Sequence, residues 1–192
     1  MNIERVFPTE IWSMKVDNYK SMNESLYKSS INLFNEDKEG LKVSNYGGWH
    51  SNFLHNYESD KTKDFNKLRD IIYKMLNDNK FGSDLKIIDM WININRNRDS
   101  NASHCHTNCN FSGCYYVKVP EKSGNLSFLE PYKWHNKNNS KIVKDEKNIP
   151  EHIVISEEGM LYIFRGFLPH KVGKNLSESK RISIAFNIKG NE

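Results

Sequence analysis

Apolar positions recur along this chain with two different periods, and the change comes near residue 82. In "NYKSMNESLYKSSINLFNE", Tyr19, Met22, Leu26 and Phe34 fall near helical spacing. In "DFNKLRDIIYKMLND", Phe65, Leu68, Ile72, Met75 and Leu76 do the same. Both predict amphipathic helices, the second with an acid near its start, where the helix dipole favours negative charge. Between them "SNYGGWHSN" has adjacent glycines and reads as a turn. Beyond Gly82 the period shortens. "LKIIDMWININ" alternates so that Met90, Ile92 and Ile94 share one face and Trp91, Asn93 and Asn95 the other. "FSGCYYVKVP", "GNLSFLEP", "HIVI", "GMLYIF" and "KRISIAFNI" read as further short strands between turn formers.

Helices first and strands after predict an α+β, mainly β fold whose strands form a sandwich or barrel. A single domain over residues 1–192 suits the length, helix-rich over 1–82 and strand-built over 83–192. The stretch from Tyr132 to Pro150 is polar and lysine-rich and is expected to be a long loop, the kind of segment that serves as lid or binding element.

Composition narrows the classes. With 37% hydrophobic and 27% charged residues the chain is globular, and it lacks an apolar run long enough for a membrane span. The opening "MNIERVFPTEIW" lacks the apolar centre of a signal peptide, so a cytoplasmic protein is expected. Net charge is only +4, and the lysines of "YKWHNKNNSKIVKDEKN" interleave with acids, which favours a solvated loop over a nucleic-acid groove. The three cysteines, Cys105, Cys109 and Cys114, crowd into ten residues and make a poor disulfide framework; reduced thiols are expected. Without a C-x-x-C pair, and with Cys105 pointing away from its neighbours on a strand, structural zinc is a minor reading.

Candidate chemistry centres on histidine, of which the chain has seven. In "HCHTNCNFSGCYY" an extended backbone projects His104 and His106 to the same side, where two imidazoles can share a metal ion. An open metal site needs a third ligand. His170, behind the apolar "MLYIF" and after Pro169, is the best distant candidate. A lone histidine is more often structural, and His135 and His152 are read so. In "KRISIAFNI", Ile182, Ile184, Phe186 and Ile188 form a core face, opposite Arg181, Ser183, Ala185 and Asn187. That second face is either solvated or turned into a barrel, where a guanidinium fork calls for a carboxylate and Ser183 adds a hydroxyl.

The order of these residues resembles iron(II)- and 2-oxoglutarate-dependent dioxygenases. More closely it resembles the small oxygenases of bacteria and marine phages, with W-x-N-x-N, H-x-H, S-G-x-Y-Y, P-H and a closing R-I-S-x-x-F-N. Here these read "WININ", "HCH", "SGCYY", "PH" and "RISIAFN", in order between about residue 47 and residue 188, and "GGWHS" resembles that group's glycine-aromatic turn. The resemblance implies a double-stranded β-helix, or jelly roll, with the N-terminal helices packed outside. It implies iron(II) held by His104, His106 and His170, and 2-oxoglutarate and O2 as cosubstrates. It further implies Arg181 on the distal carboxylate with Ser183, and Asn93, Asn95 and Tyr115 (or Tyr116) near the cosubstrate. His106 stands where the usual site has a carboxylate. Either it is a ligand, or water or a nearby acid such as Asp99 completes the shell. The implied reaction hydroxylates a protein side chain, such as a prolyl group, or a small metabolite with release of succinate and CO2. His50 is expected to touch the substrate, and a homo-oligomer is compatible with the sequence. Two rivals stay open: a cupin-type metal protein with other chemistry, and a non-catalytic jelly-roll binding module.

Overall fold

The 3.6-residue stripe and the two-residue alternation meet on one sheet. The computed structural model describes residues 8–54, 62–79, 81, 84–137 and 150–190. In chain order the elements are β1 (Ile11–Lys15), α1 (Tyr19–Glu36), β2 (Asn45–Tyr46), β3 (Trp49–His50), a 3-10 turn (Lys63–Phe65) and α2 (Asn66–Asp78). β4 (Lys86–Asn95), β5 (Ser100–His104), β6 (Phe111–Lys118), β7 (Leu126–Leu129) and α3 (Pro131–Lys137) follow, then β8 (Glu151–Val154), β9 (Met160–Arg165), β10 (His170–Val172) and β11 (Arg181–Lys189). Two antiparallel sheets result, a larger one ordered β1-β9-β6-β11-β4-β3 and a smaller one ordered β2-β5-β10-β7-β8. This is the jelly-roll arrangement expected.

The main apolar core lies outside the sandwich, between the larger sheet and the helices. Leu26 of α1 and Leu68 and Ile72 of α2 pack with Ile92 and Ile94 of β4 and with Ile182, Ile184, Phe186 and Ile188 of β11. The alternating partners of those strand residues therefore face the other sheet. That inner face carries Trp91, Asn93, Ser112, Cys114, Arg181 and Ser183, and encloses a cavity. Burying the whole apolar face against helices leaves the polar face of β11 inside the molecule, the less obvious of the two orientations the pattern allows. Gly113 sits at a tight approach: a Cβ there would overlap the Phe186 ring and the Tyr162 carbonyl.

Several elements differ from the expected pattern. β1 pairs with β9 along its whole length, so the helix-rich segment also supplies an edge strand, together with the short β2 and β3. Five residues after a proline carry too little alternation to stand out. The segment expected as loop from Tyr132 begins instead as α3. Glu130 caps it, its carboxylate accepting from the Tyr132 and Lys133 amides at 2.9 and 2.8 Å, and Trp134 is buried beside Leu129. The rest of that expected loop, 138–149, lies outside the described residues. His170, expected just beyond a strand, begins the three-residue β10 between β5 and β7. Among the described residues no helix is long and apolar enough to cross a membrane.

Candidate active site

Strand pairing brings the distant histidines together. β10 lies beside β5 with His170 opposite His104, and His106 follows two residues after His104. The ring centroids stand 4.4 Å apart for His104 and His170, 5.1 Å for His106 and His170, and 5.1 Å for His104 and His106. One ligand atom from each lies within 4.8 Å of the others. Backbone carbonyls fix two of the rings: His104 Nδ1 donates to Ala102 O at 2.7 Å and His170 Nδ1 to Leu168 O at 2.9 Å. A ring that donates through Nδ1 keeps the Nε2 lone pair for a metal, the orientation that outer hydrogen bonds impose on metal-binding histidines.

Protonation is suppressed throughout the cluster. Burial lowers His170 well below the ordinary imidazole range, with His104 and His106 adding to the effect. His106 is held down to about 3 by burial first and then by His104 and His50, and burial also lowers His104. Three neutral imidazoles suit a divalent cation. They also set a pH dependence. The folded chain keeps these rings neutral while the unfolded chain protonates them below about 6.5, so their stabilisation is complete above that pH and is lost as pH falls. His106 alone costs about 2 kcal/mol between pH 6.5 and 5 at about 1.4 kcal/mol per unit. The metal-free protein is therefore expected to melt at progressively lower temperature from pH 7 to pH 5, and replacing His106 by glutamine is expected to flatten that slope in a thermal-denaturation series.

Arg181 faces the same cavity from the opposite sheet. It is 1% exposed, and its partners are neutral. Nη1 donates to the carbonyls of Ser123 (3.0 Å) and Gly124 (3.3 Å), Nη2 to Asn95 Oδ1 (2.8 Å), and Nε has no acceptor among the described residues. Burial lowers its pKa, but a guanidinium stays charged. Among the described residues no carboxylate bonds to it. An unpaired buried cation is costly and is relieved by an anion from outside. Ser183 lines the cavity beside it, opposite Asn93 on β4 and Tyr116 on β6. The cavity has a volume of about 310 Å³ and takes in the three histidines, Arg181, Ser183 and Asn93.

Some expected site residues lie elsewhere. Tyr115 points to the helix side, where its hydroxyl donates to Asn23 Oδ1 at 2.6 Å, and Tyr116 is the tyrosine on the cavity wall. Asn95 is buried behind Arg181 and does not line the cavity. Asp99 accepts from the Arg96 amide at 2.7 Å and from Arg96 Nε at 3.3 Å, closing a turn, and does not join the histidine group. None of the three cysteines is in a disulfide. Burial pushes Cys109 up to about 11 and Cys114 up to about 12, and neither joins a metal-ligand cluster among the described residues. His50 lines the cavity, its Nδ1 donating to Ser51 O at 2.7 Å and its ring stacked 5.3 Å from Trp91. Trp91 also stands 5.9 Å from His106, a wall residue the sequence reading placed on the correct face without assigning it a role.

With this geometry in place, three comparisons bear on it. A family model described as 2OG-Fe(II) oxygenase matches residues 89–187, more than half of the chain, from β4 through β11. No curated protein matches the sequence. Among solved structures, a prolyl-4-hydroxylase from Pseudomonas putida superposes with a TM-score of 0.68 at 12% identity, covering 96% of this chain and 94% of its own. A viral collagen prolyl hydroxylase from Paramecium Bursaria Chlorella virus-1, in complex with 2-oxoglutarate, gives 0.64 at 12% identity over 94% and 96%. HygX from Streptomyces hygroscopicus, with nickel and 2-oxoglutarate bound, gives 0.70 at 10% identity over 95% and 84%. At such identities the superpositions speak for the fold.

Proposed function

Because the chain belongs to the 2OG-Fe(II) oxygenase family, it is an iron(II)- and 2-oxoglutarate-dependent dioxygenase, and we propose that His104, His106 and His170 hold the iron while Arg181 anchors the cosubstrate. The observation that carries the residue assignment is the shared cavity: three neutral imidazoles on one side and an unpaired buried guanidinium on the other. A dicarboxylate carries one group for each end. Its keto acid end can meet the metal, and its distal carboxylate can accept from the Arg181 fork and from Ser183.

Bound iron(II) supplies oxygen activation coupled to decarboxylation of 2-oxoglutarate to succinate and CO2. The chain's own residues do the rest. Ala102 O and Leu168 O fix two imidazole tautomers. Arg181 would set the direction of the cosubstrate, with Asn93 and Tyr116 on the cavity wall nearby. Leu126 and Phe164 give the cavity an apolar stretch of wall beside the polar groups.

We take the primary substrate to be a protein side chain, such as a prolyl group, or a small metabolite. The prolyl hydroxylases with this fold support the first; HygX, also solved with hygromycin B bound, supports the second. His50 and Trp91 are the cavity residues we assign to that substrate. A reducing cytoplasm, consistent with three cysteines outside any disulfide, is the proposed compartment.

Purified protein incubated with iron(II), ascorbate and 2-oxoglutarate is expected to form succinate, at least slowly, without primary substrate. Omitting iron or adding a chelator is expected to stop it. His106→Asp rebuilds the common two-histidine, one-carboxylate site and is expected to keep iron, whereas His106→Ala is expected to lose it. Iron retained equally by His106→Ala would remove His106 from the ligand set.

A further inference from the structure

We infer that Asn95 is a positioning residue for 2-oxoglutarate: its side-chain amide aims the Arg181 guanidinium without touching the cosubstrate. The inference rests on Arg181 being the carboxylate anchor. Asn95 is 1% exposed and stands opposite Arg181 in the β4–β11 register. A guanidinium only donates, so the Asn95 atom 2.8 Å from Nη2 is the amide oxygen. Nδ2 is then free to donate to Asn101 Oδ1 at 3.3 Å, and Asn101 Nδ2 donates onward to Ser44 Oγ at 3.3 Å. The row therefore has one polarity from the arginine to Asn101 and Ser44, both of which line the cavity. Behind it the Gly48 backbone presses close, so that a Cβ at Gly48 would come within 3.0 Å of Asn95 Nδ2. The amide is held from both sides and has no freedom to turn over.

The consequence lies in which donors stay available. The Ser123 and Gly124 carbonyls occupy Nη1, and Asn95 takes one hydrogen of Nη2. Nε and the second hydrogen of Nη2 share one edge of the fork, and such an edge gives a carboxylate two parallel hydrogen bonds. A neutral amide suits this role because it orients the cation without neutralising it. A carboxylate at the same position would turn one oxygen toward Nη2 and act as a built-in competitor of 2-oxoglutarate. Its other oxygen would oppose Asn101 Oδ1.

Two readouts test this: 2-oxoglutarate binding to the metal-free protein by calorimetry, and KM for 2-oxoglutarate with iron(II). Asn95→Asp is expected to weaken both by at least about tenfold. Asn95→Ala, which frees the fork without supplying a competitor, is expected to weaken both by about threefold to tenfold. At saturating 2-oxoglutarate kcat is expected to stay within about threefold, because the amide acts through Arg181 alone. In an Arg181→Ala background Asn95→Asp is expected to add less than about twofold. Circular dichroism selects the folded variants, and Asn95→Ala carries the test if Asn95→Asp does not fold. A folded Asn95 variant that binds 2-oxoglutarate as the parent does, or an undiminished loss in the Arg181→Ala background, overturns the inference. If Arg181→Ala itself binds 2-oxoglutarate normally, the anchor reading fails as well. If Arg181→Ala binds weakly while Asn95 variants bind normally, only the positioning role fails.

Discussion

Protein carrying His170→Ala is expected to bind iron(II) at least about 100-fold more weakly than the parent and to form no measurable succinate at micromolar iron. Losing even an outer partner of a metal ligand typically costs roughly 10- to 100-fold in affinity, so losing a ligand costs at least that. His170 is the sharpest of the three positions for the test. It is 5% exposed, it belongs to β10 between two strands, and Leu168 O fixes its tautomer. No Asp or Glu joins the group among the described residues, so no neighbour replaces it. Metal content by atomic absorption and the 2-oxoglutarate-dependent release of succinate measure the two effects separately. A variant that is folded and still holds stoichiometric iron would remove His170 from the site and take the three-imidazole assignment with it.

Arg181→Ala is expected to raise KM for 2-oxoglutarate at least about 30-fold. Truncating one partner of a buried, hydrogen-bonded charge pair costs roughly 2 to 5 kcal/mol, and each 1.4 kcal/mol is about a factor of ten. The effect is expected to be large here because the guanidinium is buried and no carboxylate among the described residues bonds to it. Arg181→Lys keeps the charge but loses the fork, and the planar contact to Ser123 O, Gly124 O and Asn95 cannot be rebuilt from one ammonium. It is expected to fall between the parent and the alanine variant. Steady-state kinetics across a 2-oxoglutarate series, with iron saturating, reads the difference. A KM unchanged in Arg181→Ala would mean that the distal carboxylate is held elsewhere.

The division between what the chain's pattern reveals and what folding adds can be drawn residue by residue. The paired spacing of His104 and His106, the third histidine after Pro169 and the alternation around Arg181 are local properties, so they could be read before any coordinates. The long helices were legible for the same reason, since a stripe over many residues outweighs local noise. The strands β1 and β10 were not, because five and three residues carry too few repeats and take their conformation from the strands beside them. Tyr115 and Tyr116 sit next to each other with the same chemistry. Only the packing of Tyr115 against Asn23 of α1 decides that Tyr116 faces the cavity.

By itself the sequence determined which side chains share a face: His104 with His106, the polar row on β11 and the apolar row behind it; pairing of β10 with β5 added His170. It left two orientations for that polar row, toward solvent or toward the interior. Tertiary structure alone decided for the interior, by covering the apolar face of the larger sheet with α1 and α2. It also decided that Asn95 bonds to Arg181 from behind instead of lining the cavity, and that Asp99 closes a turn. The physical reason is that periodicity is a property of neighbours along the chain. Which face meets which surface, and which polar group reaches a buried charge, is settled only when segments far apart in sequence compete for the same space.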